Sequence, residues 1–212
     1  AQAWADADRL YWVHDPIDAA IPTEPLLAPA YIQERARTIH DSASASPFPG
    51  LPPGIAHYPY ALPQQGQEQG TTQVSIVDAA GNLASYTASV ETVFGSRHLL
   101  AGMVMNNQLT DFAFRPVIQG RPVANRRRAG KRPMSSMAPL IVFEQGQPVL
   151  AVGSPGGRTI PHFISRVLMA SLLWGLTPEQ SVAMPHLSIR GNRLVLERDS
   201  PIPWPFAWTA LS

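Results

Sequence analysis

The sequence predicts an α+β fold with layered packing, and three observations carry that prediction. Apolar residues spaced three and four apart mark helices, while alternating β-branched runs mark strands. The two kinds of segment are grouped, as strand pairs, then helices, then strands, and do not interleave one for one. Short glycine-containing turns separate neighbouring strand-like runs, which makes those runs antiparallel hairpins.

"AWADADRL" near the start and "PAYIQERARTIH" read as helices, the second opening with Pro29 in its first turn, where a missing N–H costs nothing. Residues 41–70, "DSASASPFPGLPPGIAHYPYALPQQGQEQG", are dense in Pro, Ser, Gly and Gln and have no period. Prolines block helix and central-strand pairing, and the other residues offer little to bury. The stretch therefore reads as a linker or exposed loop. Beyond residue 70, "TQVSIVDA" alternates, Gly81-Asn82 makes a turn, and "LASYTASVETVF" returns as the second strand. A second hairpin runs from Leu140 to Ser154 and turns at Gln145-Gly146. "TIPHFISRVLMASLLWG" reads as a largely buried helix stopped by Gly175. Thr177-Pro178-Glu179-Gln180 has the N-cap, first-turn proline and third-position Gln of a capping box. "HLSIRGNRLVLER" forms a third hairpin across Gly191-Asn192. No internal repeat stands out.

A chain of 212 residues with a net charge of +1 can bury one ordinary core, and its near-neutral balance argues against nucleic acid as a partner. Its basic run, Arg126-Arg127-Arg128 with Lys131-Arg132, reads as a solvated loop. The absence of cysteine removes disulfides, thiolate metal sites and cysteine nucleophiles. No apolar run approaches the roughly 20 residues of a membrane span. The start, "AQAWADADRLYW", lacks the basic and apolar regions of a signal peptide and reads like the middle of a helix, the expectation being a segment of a longer product.

"VGSPGG" fits neither a nucleophile elbow nor a phosphate loop, and the six histidines stand singly without metal-ligand spacing. Four other places could carry chemistry. Gly70-Thr71-Thr72 puts hydroxyls where flexible chain meets strand; this is a plain turn or a nucleophile uncovered by cutting the chain in front of it. Gly156-Gly157 opens the long helix, either as a glycine turn or as two backbone N–H groups at the positive helix end, fit to hold an oxyanion. Ser135 and Ser136 precede a strand, as a turn or as a grip for a carboxylate. Asn106, Asn107, Gln108 and Asp111 form a polar cluster suited to an ammonium or amide. A threonine whose freed α-amine acts as its base is one way to activate a weak hydroxyl.

With these segments in this order the chain resembles the γ-glutamyltransferases (γ-glutamyl transpeptidases) and their cephalosporin-acylase-like relatives, which are N-terminal-nucleophile hydrolases. "GTTQVSIVDAAGNLAS", "FGS", "MNNQLTDF", "KRPMSSMAP" and "GSPGG" follow in the family's order, and "AWADADRLYWVHDP" looks like the end of its large subunit. The resemblance implies a four-layer αββα sandwich, incomplete in this chain. Residues 1–40 would be the helical end of the large-subunit-like region. Residues 41–70 would be the linker before the cleavage site, and 71–212 a small-subunit-like catalytic region that stops early.

The resemblance further implies self-cleavage at Gly70-Thr71, with Thr71 as nucleophile and its new α-amine as base. Ser89 matches a residue that orients the nucleophile, and Gly156 and Gly157 match the oxyanion-hole glycines. Ser135 and Ser136 match the pair on the donor's α-carboxylate, and Gln108 and Asp111 the residues on its α-ammonium. Glu91 stands where typical transpeptidases carry asparagine beside that ammonium, and Thr72-Gln73 replaces a commoner Thr-His, a change expected to matter little. No cofactor or metal is implied. The implied partners are a small γ-glutamyl donor such as glutathione, a water or amine acceptor, and the rest of the precursor, which in the family supplies an arginine for the α-carboxylate. The family suggests a periplasmic or secreted location. Two other readings remain: an amide acylase of the same fold acting on glutaryl or β-lactam side chains, and a catalytically silent, uncut domain.

Overall fold

A computed structural model describes residues 1–40, 47–62, 70–190 and 193–197. Three helices come first: α1 (Gln2–Trp12), α2 (Thr23–Leu27) and α3 (Pro29–Arg37). Both sequence-predicted helices of this region form, α3 with its proline in the first turn. The strands pair only with their sequence neighbours among the described residues, as five antiparallel hairpins. These are β1 (Thr71–Val77) with β2 (Leu83–Ser89), β3 (Leu99–Leu100) with β4 (Met103–Val104), and β5 (Val117–Ile118) with β6 (Arg121–Pro122). After them come β7 (Leu140–Glu144) with β8 (Gln147–Val152), helices α4 (Ile160–Leu172) and α5 (Pro178–Ala183), and β9 (Leu187–Arg190) with β10 (Arg193–Leu196). The α+β class stands. The Gly191-Asn192 turn lies outside the described residues.

Turn chemistry sets the hairpins. Gln145 and Gly146 have φ of 49° and 80°, the left-handed pair that matches strand twist in a two-residue loop. Ala101-Gly102 and Gln119-Gly120 repeat the arrangement between the two-residue strands, which are too short to show a period in sequence. The β1–β2 connection is a longer loop tied by Asp78, whose Oδ1 accepts from the N–H groups of Ala80 and Asn82 at 2.9 and 2.8 Å. β2 ends at Ser89 and does not run on to Phe94, because Glu91 and Phe94 have left-handed backbones (φ 76° and 64°) that break the ladder.

The core forms where α4 lies on β8. Ile160, Ile164 and Val167, at i, i+4 and i+7, share one buried face with Val152. Gly175 (φ 70°) lets the Leu176 N–H reach the Ala170 carbonyl and close the helix, and the capping box of α5 forms as its sequence predicts. A second cluster sits on α1. Tyr11 and Trp12 pack against Tyr58, and the Tyr11 hydroxyl donates to the Tyr60 carbonyl at 2.7 Å. Residues 47–62 therefore bury aromatic surface that the loop reading of that stretch did not anticipate.

The basic run is a loop, and Arg127, Arg128 and Arg132 are exposed in it, but it is not solvated throughout. Asp18 is 4% exposed and pairs with Arg126 (3.2 Å), Arg128 (2.5 Å) and the fully buried Lys131 (2.7 Å), while Arg132 pairs with Asp15 at 2.9 Å. The Lys131 ammonium, then the Arg128 guanidinium, hold the Asp18 carboxyl down at about 2, and Arg132 does the same for Asp15, also to about 2. A depressed carboxyl stabilises the fold fully above its ordinary value near 4 and loses that contribution as pH falls toward 2. Asp18→Asn leaves Lys131 buried and uncompensated, which costs about 3 kcal/mol. Calorimetry at pH 7 is expected to show Tm lowered by roughly 5–10 °C, with the gap to wild type closing as pH is lowered from 4 to 2.

Candidate functional site

Thr71 opens β1 directly opposite Ser89, the last residue of β2. Side chains alternate along strands, so Thr71, Gln73 and Ser75 share a face with Ser89, Thr87 and Ser85. This polar face turns inward. The Ser85 hydroxyl donates to the Val152 carbonyl at 3.1 Å, and Gln73 Nε2 donates to the Ser75 and Ser85 hydroxyls at 3.2 and 3.0 Å. A Cβ on Gly153 would fall 2.2 Å from Gln73 Oε1, so only glycine lets the loop after β8 come this close to β1. The Gln73 side chain thus lies against that loop.

Gly70 has φ of 93°, and a Cβ there would meet the Glu91 carbonyl oxygen at 2.7 Å. Its own carbonyl accepts from the Ser89 hydroxyl at 3.3 Å, and that hydroxyl in turn accepts from the Glu91 N–H at 2.9 Å. The carbonyl just ahead of Thr71 is therefore held by the residue across the ladder from it.

Glu91 is 3% exposed, and its Oε2 is buried without a hydrogen-bond partner. The left-handed backbone that ends β2 turns this side chain into the interior. Asn107 fixes the turn by accepting from the Thr92 N–H at 3.1 Å, and Asn106 Oδ1 accepts from the N–H of Gln108, which opens the 3-10 turn Gln108–Asp111, at 3.0 Å. Gln108 Nε2 donates to Asp111 Oδ2 at 2.8 Å, while Gln108 Oε1 is buried and unpartnered. Asn106 and Asn107 thus build the turn, and Gln108 and Asp111 face the cleft.

The buried Asn125, which sequence reasoning missed, joins this turn to the serine pair. Its Nδ2 donates to the Asp111 carbonyl at 2.7 Å and its Oδ1 accepts from the Met134 N–H at 3.1 Å. Nothing in sequence marks a lone asparagine beside three arginines as a brace. Ser135 and Ser136 follow, Ser135 accepting from the Met137 N–H at 3.2 Å and Ser136 5% exposed.

Thr71, Ser89, Glu91, Gln108, Asp111 and the two serines line one cleft of 290 Å³, counting its open mouth, together with Gly157 at the start of the α4 segment. Met137 and Ile160 complete the wall. Gly70 and Gly156 lie beside it and do not line it. Its lining combines carboxylates, which suit a cation, hydroxyls, which suit an anion, and a glycine backbone at a helix start. That set of groups fits acyl transfer on a small amino-acid-like substrate.

The family model described as Gamma-glutamyltranspeptidase matches residues 1–203. The glutathione hydrolase proenzyme of Bacillus subtilis is 36% identical over 189 residues, 85% of this chain and 31% of that protein. The acylase ACY 1 proenzyme of a Pseudomonas species is 28% identical over 93% of this chain and 33% of its own length. A mutant gamma-glutamyltranspeptidase from Helicobacter pylori superposes with a TM-score of 0.53 at 30% identity, covering 59% of this chain and 72% of that one. The chain thus spans about a third of the length of the curated relatives it matches.

Proposed function

Since this chain belongs to the gamma-glutamyltranspeptidase family, we propose that it carries the nucleophile of a precursor that cuts itself at Gly70-Thr71 and then hydrolyses or transfers γ-glutamyl groups. The meeting of Thr71, the Glu91–Gln108–Asp111 wall, the serine pair and Gly157 at one cleft carries this reading. In maturation the Thr71 hydroxyl attacks the Gly70 carbonyl carbon, the peptide C–N bond breaks, and the acyl group passes from nitrogen to oxygen. Water then hydrolyses the ester, leaving a Gly70 carboxylate and a free Thr71 amine.

In turnover that amine takes the hydroxyl proton as Thr71 Oγ attacks the donor's γ-carbonyl carbon. The Gly157 N–H faces the oxygen on which negative charge develops. Collapse expels the donor's amine with the proton from the Thr71 ammonium, leaving a γ-glutamyl ester. Water releases glutamate from the ester, or an acceptor amine takes the γ-glutamyl group. Glu91, with Gln108 and Asp111, binds the donor's α-ammonium, and Ser135 and Ser136 bind its α-carboxylate. The rest of the precursor supplies the remaining layers of a four-layer αββα sandwich. The outward face of β1–β2 supports this: Val74, Ile76 and Tyr86 are 43%, 56% and 67% exposed while the polar face is turned in.

The likeness to an acylase proenzyme supports a second reading, a glutaryl-type side-chain acylase on the same frame. Assaying the full precursor on γ-glutamyl and glutaryl anilides separates the two. Turnover of the γ-glutamyl anilide and little of the glutaryl one is expected, because only the former has the ammonium that a buried carboxylate attracts. The reverse preference would move the assignment to the acylase.

A further inference from the structure

We propose that Thr159 sets the orientation of the Gly156–Gly157 peptide, and so is a positioning residue for the acyl transfer described above, on which reading the inference rests. Thr159 is 2% exposed, and its hydroxyl donates to the Gly156 carbonyl at 2.7 Å while its own N–H reaches the same oxygen at 3.2 Å. In a planar trans peptide the C=O and the next N–H point opposite ways. Two donors that draw the Gly156 oxygen toward the helix start therefore send the Gly157 N–H away from it, and Gly157 lines the cleft with Thr71.

The lock has a reason to exist. Gly156 and Gly157 have φ of 131° and 55°, and neither has a side chain to restrain the peptide between them. Were that peptide to flip, it would present a carbonyl oxygen where the oxyanion needs a donor. Thr159 also does not act as an ordinary cap. A threonine at the N-cap of a helix usually accepts from an N–H of the first turn, but at α4 no such bond forms, and the hydroxyl is spent on the glycine carbonyl behind it. The approach is close: a Cβ on Gly156 would fall 3.0 Å from Thr159 Oγ1 and 2.9 Å from the Phe163 ring.

Thr159→Val removes the hydroxyl at nearly constant shape, and Thr159→Ser keeps it. In the cleaved full-length protein, kcat for a γ-glutamyl anilide is expected to fall about 10–100-fold in Thr159→Val at unchanged KM. That is less than the loss of an oxyanion donor outright, because the backbone N–H of residue 159 still holds the carbonyl. Thr159→Ser is expected to recover most of the lost kcat, and the thermal midpoint of each variant is read in parallel. Thr159→Ala serves in the same way if valine disturbs folding. A kcat equal to wild type in the variant without the hydroxyl, or a loss carried by KM or by Tm alone, overturns the inference and leaves the γ-glutamyl reading standing. A wild-type protein without γ-glutamyl amidase activity overturns both.

Discussion

Thr71→Ala leaves the precursor in one piece and without amidase activity. Both losses follow from one atom, because the Thr71 hydroxyl is assigned the attack on the Gly70 carbonyl during maturation and on the donor during turnover. The surroundings suit the proposed first attack. The ladder sets Thr71 opposite Ser89, and the Ser89 hydroxyl donates to the Gly70 carbonyl, drawing electron density from the carbon to be attacked. The left-handed Gly70, with a backbone oxygen where a Cβ would sit, holds that carbonyl in a conformation other residues reach only under strain. Removing a covalent nucleophile costs on the order of 10⁶ in kcat where this has been dissected, so gel analysis and an anilide assay are expected to find neither fragments nor turnover. Thr71→Ser keeps a hydroxyl and is expected to cleave slowly and turn over, which separates lost chemistry from lost fold.

Glu91→Gln raises KM for γ-glutamyl donors by about 10–100-fold, the worth of a hydrogen bond to a charged group. Glu91 is buried, its Oε2 has no protein partner, and it shares the cleft with Asp111, so two carboxylates face one small volume. The glutamine variant keeps the shape and removes the charge. Its effect is expected in KM more than kcat, because the ammonium is bound alike in ground and transition states. A donor lacking the ammonium should bind the variant no worse than wild type. Steady-state kinetics with γ-glutamyl and glutaryl anilides reads both expectations; equal KM for the γ-glutamyl donor in variant and wild type would remove Glu91 from that role.

What sequence made legible, and what it did not, divides on range. The β1–β2 and β7–β8 hairpins, α4 and the capping box of α5 depend on residues within a few positions, and they form where they were read, although β2 stops at Ser89. The α4 segment, read as largely buried, buries one face and leaves Met169, Leu172, Leu173 and Trp174 exposed. Pairings far apart were invisible. Asp18 meets Arg128 across 110 positions, so a basic run that looks solvated in sequence is tied down in the fold. Asn125 braces the Asp111 turn through its backbone carbonyl, a contact that leaves no pattern. Alternation in β1 was easy to see, but the side facing the interior was not: Thr71 and Gln73 are half-buried while Val74 and Ile76 are exposed. The usual rule of apolar side inward fails here because the inward side meets the end of β8 through polar groups, Ser85 donating to the Val152 carbonyl and accepting from Gln73. The cleft residues were reached through a family resemblance, since each segment alone reads equally well as a turn.

Gly70-Thr71 is proposed as the bond this protein cuts in itself. The intact mass of the full-length precursor, purified fresh and again after incubation, tests it directly. Two species are expected whose masses sum to the precursor plus one water, one of them beginning at Thr71. A single unchanged mass in a preparation that nonetheless hydrolyses γ-glutamyl anilide, or a new amino terminus elsewhere in the chain, would contradict it.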